Sequence, residues 1–107
     1  MSAAMDALED RARRQLDRMR ELNEQLAVIR VRETSPDGQI TAEVDGLGTL
    51  LDLEFTHAIS KLSPKDFETL LVATAGMAAQ RAFARRAQLV ESFNEEAADL
   101  IASSQLH

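Results

Sequence analysis

The apolar residues of this chain change their spacing twice, and each change marks a boundary that any fold must respect. From Met5 they fall at Met5, Leu8, Ala12, Met19, Leu22 and Leu26, with Gln15 in the remaining slot of the repeat. Steps of three and four make one face of a helix, so residues 3 to about 27 read as a single amphipathic helix with a heptad-like seam. The period then drops to two. Ile29 and Val31 alternate with Arg30 and Arg32. Ile40, Ala42 and Val44 alternate with Thr41, Glu43 and Asp45, and Leu51, Leu53 and Phe55 alternate with Asp52 and Glu54. Alternation of this kind predicts three half-buried strands, at about 28–33, 39–45 and 49–55. Between them "SPDGQ" (35–39) and "DGLG" (45–48) supply tight-turn chemistry.

Helical spacing returns after Ser63-Pro64-Lys65-Asp66. Ser63 is placed to cap, Pro64 suits the first helical position, and Asp66 is an acidic residue in the first turn. Phe67, Leu70, Leu71, Thr74, Met77 and Ala78 then carry a helix from 64 to about 103, with "ESFN" (91–94) as the stretch expected to bend or break it. Its middle is rich in small residues, and Gly76 should cost roughly 1 kcal/mol against Ala there, which points to close packing of another backbone.

These lengths conflict with a lone globule. A helix of about 25 residues is roughly 38 Å long, whereas strands of five or six residues span about 17–20 Å. Both helices overhang the sheet, and a second copy is the simplest cover for their apolar seams. The expectation is a single α+β domain over 1–107, ordered α-β-β-β-α around a three-stranded antiparallel sheet, forming an intertwined homodimer. The seam and the small-residue run nominate Leu8, Met19, Leu22, Leu71, Gly76 and Ala79 for the interface.

The charge pattern bears on partners. The formal net charge is -6, yet residues 11–32 hold seven arginines against Asp17, Glu21 and Glu24, a local net of +4. Residues 33–60 carry six acidic residues and no Lys or Arg, and Arg81, Arg85 and Arg86 form a second basic spot. Such asymmetry can direct binding against an unfavourable net sign. On the first helix, Arg13 and Arg20 fall into an outer strip with Asp6, Asp10, Asp17 and Glu24, a solvated ladder. Arg11, Arg14 and Arg18 make a separate stripe. They are the first choice for phosphate contact, with Arg81 and Arg85 second. Arg30 and Arg32 either extend the basic surface or pair with Glu43 and Asp45 across the sheet, and pairing is favoured. All four aromatics are Phe and none lies among these arginines, so stacking on single-stranded bases has no support.

Other chemistries fare poorly. The chain has no cysteine, which excludes disulfides and thiolate metal sites. His57 is the sole internal histidine and could meet Asp52 or Glu54, but a histidine just past a strand end reads more simply as a surface residue. No phosphate-cradling loop is present, because "DGLG" is not followed by a helix. No enzyme activity, metal or cofactor is expected. The N-terminus turns charged before an apolar segment can form, so no signal peptide is read. The longest uncharged run, 69–80, is short of the ~20 residues a membrane span needs.

The order of elements, with "GQITAEVDGLGTLLDLEF" and "LSPKDFETLLVATAGMAAQRA", resembles the YbaB/EbfC nucleoid-associated protein family. Val44-Asp45-Gly46-Leu47-Gly48 matches its strand-and-turn pattern, and Leu51, Leu53 and Phe55 match the strand that follows. The chain departs from that pattern in its compact "SPDGQ" turn and its acidic "EEAADL" end. The resemblance implies a cytoplasmic, nucleoid-associated homodimer that binds double-stranded DNA with little sequence preference. Some actinobacterial relatives look like partners of specialised secretion systems, so the alternative is a dimeric protein-interaction module, a secretion-linked scaffold or chaperone.

Overall fold

The computed structural model describes residues 2–105. Helix α1 spans Ala3–Ala27, strands β1, β2 and β3 span Arg30–Thr34, Ile40–Asp45 and Leu50–Phe55, and helix α2 spans Pro64–Gln105. The sheet is antiparallel in the order β1-β2-β3. A short 3₁₀ segment at His57–Lys61, which apolar periodicity cannot reveal, links β3 to α2. The α-β-β-β-α order read from the sequence is the observed one.

Local chemistry explains the boundaries. Ser2 caps α1, its side chain accepting from the Met5 N–H at 3.2 Å. Ser63 does the same for α2, accepting from the Asp66 N–H at 3.1 Å. The segment Glu91–Asn94 does not break α2, which is helical throughout Pro64–Gln105. It contains neither Pro nor Gly, so nothing in it opposes the helix.

The β1–β2 turn is tied by Asp37. Its Oδ1 accepts from the Ser35 hydroxyl at 2.6 Å and from the Gln39 N–H at 3.1 Å, while Gly38 takes the left-handed φ of 75°. At the β2–β3 turn, Asp45 Oδ1 accepts from the Leu47 and Thr49 N–H groups, each at 2.9 Å. Gly48 there has φ 80°. A Cβ added to it would stand 2.7 Å from Phe83 Cζ, so both conformation and space require glycine.

One face of the sheet is apolar. Ile40, Ala42 and Val44 are buried along β2, joined by Ile29 and Val31. Helix α2 lies over β1 and β2 and presents Thr74, Ala78 and Ala82, all buried, at every fourth position. Small side chains at that spacing let the helix axis approach the strands closely. Strand β3 is left largely uncovered. Leu51 and Phe55 are each 45 % exposed, and the Phe55 ring lies 5.5 Å from that of Phe67 at the start of α2.

Beyond the sheet, α2 carries α1 alongside it, and the molecule is an elongated body of 74 × 21 × 16 Å. The face of α1 turned to α2 is marked by its half-buried residues Gln15, Arg18, Leu22 and Leu26. The heptad seam read from the sequence is therefore split. Leu22 and Leu26 pack within the chain, while Met5, Leu8 and Met19 are 50 %, 58 % and 48 % exposed.

Two outcomes are expected. Gly48→Ala should lower the stability to urea unfolding by about 1–3 kcal/mol, the usual cost of a strained backbone conformation. Asp37 is held below its ordinary carboxylate value, first by the Ser35 hydroxyl and then by the Gln39 N–H. A depressed native pKa stabilises above the unfolded value and loses that contribution as pH falls through the folded one. The melting-temperature advantage of the wild type over Asp37→Asn should therefore be present at neutral pH and vanish on acidification.

Candidate nucleic-acid interface

The arginines separate according to what each side chain can reach. Arg32 projects from the polar face of the sheet between carboxylates, with Glu54 at 2.9 Å, Glu43 at 3.4 Å and Asp52 at 4.0 Å. The hydrogen bonds it donates to Glu54 and then to Glu43 push its guanidinium pKa further above the ordinary value. The expected Arg32–Glu43 pair is thus formed. Asp52 and Glu54 turn to this arginine, and His57, in the 3₁₀ segment, is exposed.

Arg30 corrects the other half of that expectation. It lies opposite Asp45 in the sheet register, yet its Nη1 donates to the backbone carbonyls of Ile29 at 2.7 Å and Ala27 at 3.3 Å. Asp45 is engaged by its own turn, and the last turn of α1 holds no basic residue. Arg30 supplies the missing cation to the carbonyl end of that helix, where positive charge is favourable.

The second basic spot also divides. Arg81 Nη1 lies 2.6 Å from Glu33 Oε2, a carboxylate only 16 % exposed on β1. That is the acidic neighbour needed to relieve repulsion between Arg81 and Arg85. Arg85 and Arg86 are exposed and have no ion-pair partner among the described residues.

On α1, Arg18 is half-buried against α2 and its Nη1 lies 3.4 Å from the Glu96 carbonyl oxygen. It lines a cleft of about 210 Å³ between the helices with Glu21, Leu22, Gln25, Leu89, Ser92, Phe93 and Glu96. Arg11 is one heptad before Arg18, so the stripe Arg11, Arg14, Arg18 runs on the flank of α1 nearest α2. Arg11 and Arg14 are exposed. The ladder strip shows one pair, Arg20 to Asp17 at 3.9 Å, and Arg13 is exposed without an ion-pair partner among the described residues.

The residues nominated for a dimer interface fall in three settings. Leu8 and Met19 are exposed. Leu22, Leu71 and Ala79 are half-buried within the chain, and Ala79 Cβ lies 3.4 Å from the position of an added Gly48 Cβ. Gly76 faces open space, with nothing within 4 Å of an added Cβ. No backbone among the described residues accounts for that glycine.

The model of the YbaB/EbfC DNA-binding family matches residues 1–97. The chain belongs to that family. A search of curated proteins found no match. Among solved structures, the crystal structure of an uncharacterized protein, HP0035, from Helicobacter pylori is similar in fold. Its TM-score is 0.63 at 17% identity, covering 86% of this chain and 96% of that one. No helix among the described residues is long and apolar enough to cross a membrane.

Sequence spacing alone does not separate the arginines committed to the fold from those open to a ligand. Arg86 escapes it because spacing pairs Arg81 with Arg85, whereas Glu33 reaches Arg81 from a strand 48 residues away. If that contact is structural, a double-mutant cycle between Glu33→Gln and Arg81→Gln should give a coupling of about 0.2–1 kcal/mol in urea unfolding.

Proposed function

We propose that the protein acts in the cytoplasm as a nucleoid-associated homodimer that binds duplex DNA, mainly through its phosphates and with little sequence preference. The observation that carries this reading is membership of a DNA-binding family over residues 1–97. The distribution of charge supports it. Arg11, Arg14 and Arg85 are exposed and carry no ion pair among the described residues. The acidic sheet face, where Glu43, Asp52 and Glu54 gather around Arg32, is a separate surface. Arg18 and Arg81 border the same regions but already have partners within the chain, so they contribute less than Arg11, Arg14 and Arg85. Phosphate contacts position a protein without reading sequence, and no catalytic role is part of this reading.

The homodimer rests on uncovered apolar surface. Leu50, Leu51 and Phe55 on β3 and Val72, Met77 and Phe83 on α2 are each at least 45 % exposed. A second set, Met5, Leu8, Leu16 and Met19, lies along α1. So many large apolar side chains left open on three elements point to an association surface. A second copy would cover it and give each arginine stripe a symmetry mate. The net charge of -6 and the apolar residues on α1 favour the other reading, a dimeric protein-interaction module serving a secretion-linked or scaffold partner.

A gel-shift titration of long duplex DNA at about 50 and 200 mM salt separates the two. Phosphate-driven binding by six to ten contacts weakens by about 10³–10⁵ over that range, and no binding at the lower salt would leave the interaction module. Gly76 tests the dimer independently. In an open helical site Gly76→Ala should add about 1 kcal/mol of helix stability. If a second copy packs its backbone there, the same change should make the dimer dissociate at higher concentration in a light-scattering dilution series.

A further inference from the structure

At the junction of α1 and the sheet lies a cleft of about 280 Å³ whose lining includes Asn23, Arg30, Asp45 and Arg86. Its two arginines come from different elements. Arg30 stands at the start of β1, Arg86 on α2, and neither forms an ion pair among the described residues. The carbonyls of Ile29 and Ala27 occupy Arg30 Nη1, which fixes the guanidinium in place and leaves its Nη2 and Nε hydrogens for another acceptor. Asp45 contributes the opposing charge, although its Oδ1 is already held by the Leu47 and Thr49 N–H groups.

We propose that Arg30 and Arg86 together hold one phosphodiester of the DNA backbone in this cleft, a deepening of the DNA-binding reading, on which it rests. Two guanidiniums against one carboxylate leave a single net positive charge. That net charge attracts an anionic phosphate of the backbone. Guanidinium forks are the side chains best matched to phosphate oxygens. Arg30 is preorganised by the helix end it caps, so little side-chain freedom is lost when an anion arrives. Gly46, also in the lining, lets the β2–β3 turn pack against the end of α1. A Cβ there would stand 3.2 Å from the Leu26 carbonyl oxygen.

The test uses the full chain and Arg86→Gln, since Arg86 is exposed and forms no ion pair among the described residues. Salt titrations of duplex DNA binding should show the slope of log K against log[salt] falling by about 0.9 for each phosphate that is no longer neutralised. Arg86→Lys should restore part of it, and Lys65→Gln, which removes the same charge from the far end of α2, should leave the slope unchanged. An unchanged slope in Arg86→Gln, or an equal fall in Lys65→Gln, would overturn the proposal while leaving DNA binding itself intact. Failure of the wild type to bind duplex at low salt would instead remove the reading beneath it. A second measurement is independent of DNA. Titration with dimethyl phosphate, followed by NMR of the arginine Nε–H groups, should shift both Arg30 and Arg86. A shift at neither residue, or at one alone, would overturn the shared site.

Discussion

Everything else in the molecule depends on the reach of α2. At about 1.5 Å per residue, its 42 residues extend roughly 63 Å, several times the width of the sheet it covers. The helix divides that length between two tasks. Thr74, Ala78 and Ala82 form a narrow, small-residue track that seats β1 and β2. Further along, Leu89, Ser92, Phe93 and Glu96 receive α1. Because a straight helix cannot wrap a sheet this small, neither task consumes its whole apolar surface. Strand β3 and the outward half of the α1 seam stay uncovered for the same geometric reason.

Electrostatics follow from this layout. An acidic chain can approach a polyanion only if its charges are sorted in space, and the fold sorts them. The carboxylates of β2 and β3 gather around Arg32 on the sheet face away from α2. Arg30 is drawn to the carbonyl end of α1, and Arg81 to a half-buried glutamate on β1. Fold-bound arginines thereby neutralise local charge, while Arg11, Arg14, Arg85 and Arg86 remain exposed. The most informative case is Arg30. A residue that stabilises a helix end also stands in the lining of an open cleft, held there by the carbonyls of Ile29 and Ala27.

Much of the architecture is legible in the sequence because it depends on periodicity and caps. The switch from helical to alternating spacing near Ile29, and the return after Ser63-Pro64, place the element boundaries within a residue or two of those observed. What stays hidden depends on contacts between distant segments. Which half of the α1 seam meets α2 is decided by the approach of Leu89 and Phe93, and no local pattern encodes that. The partners of Arg18, Glu96 at 3.4 Å, and of Arg81, Glu33 at 2.6 Å, lie 78 and 48 residues away. Arg30 escapes for a different reason. Strand register puts Asp45 opposite it, but the turn consumes that carboxylate and the nearby helix end competes for the guanidinium. The glycine at 76 is legible as an anomaly, and no packing partner for it lies among the described residues.

The dependence on a second copy is the claim on which the symmetry of the arginine surfaces stands, and molecular mass in solution tests it most directly. Light scattering on the purified chain at micromolar concentration should give twice the 11.8 kDa of one chain, with the apolar surfaces of β3, α2 and α1 buried in the assembly. A mass that stays at 11.8 kDa across that range would contradict it.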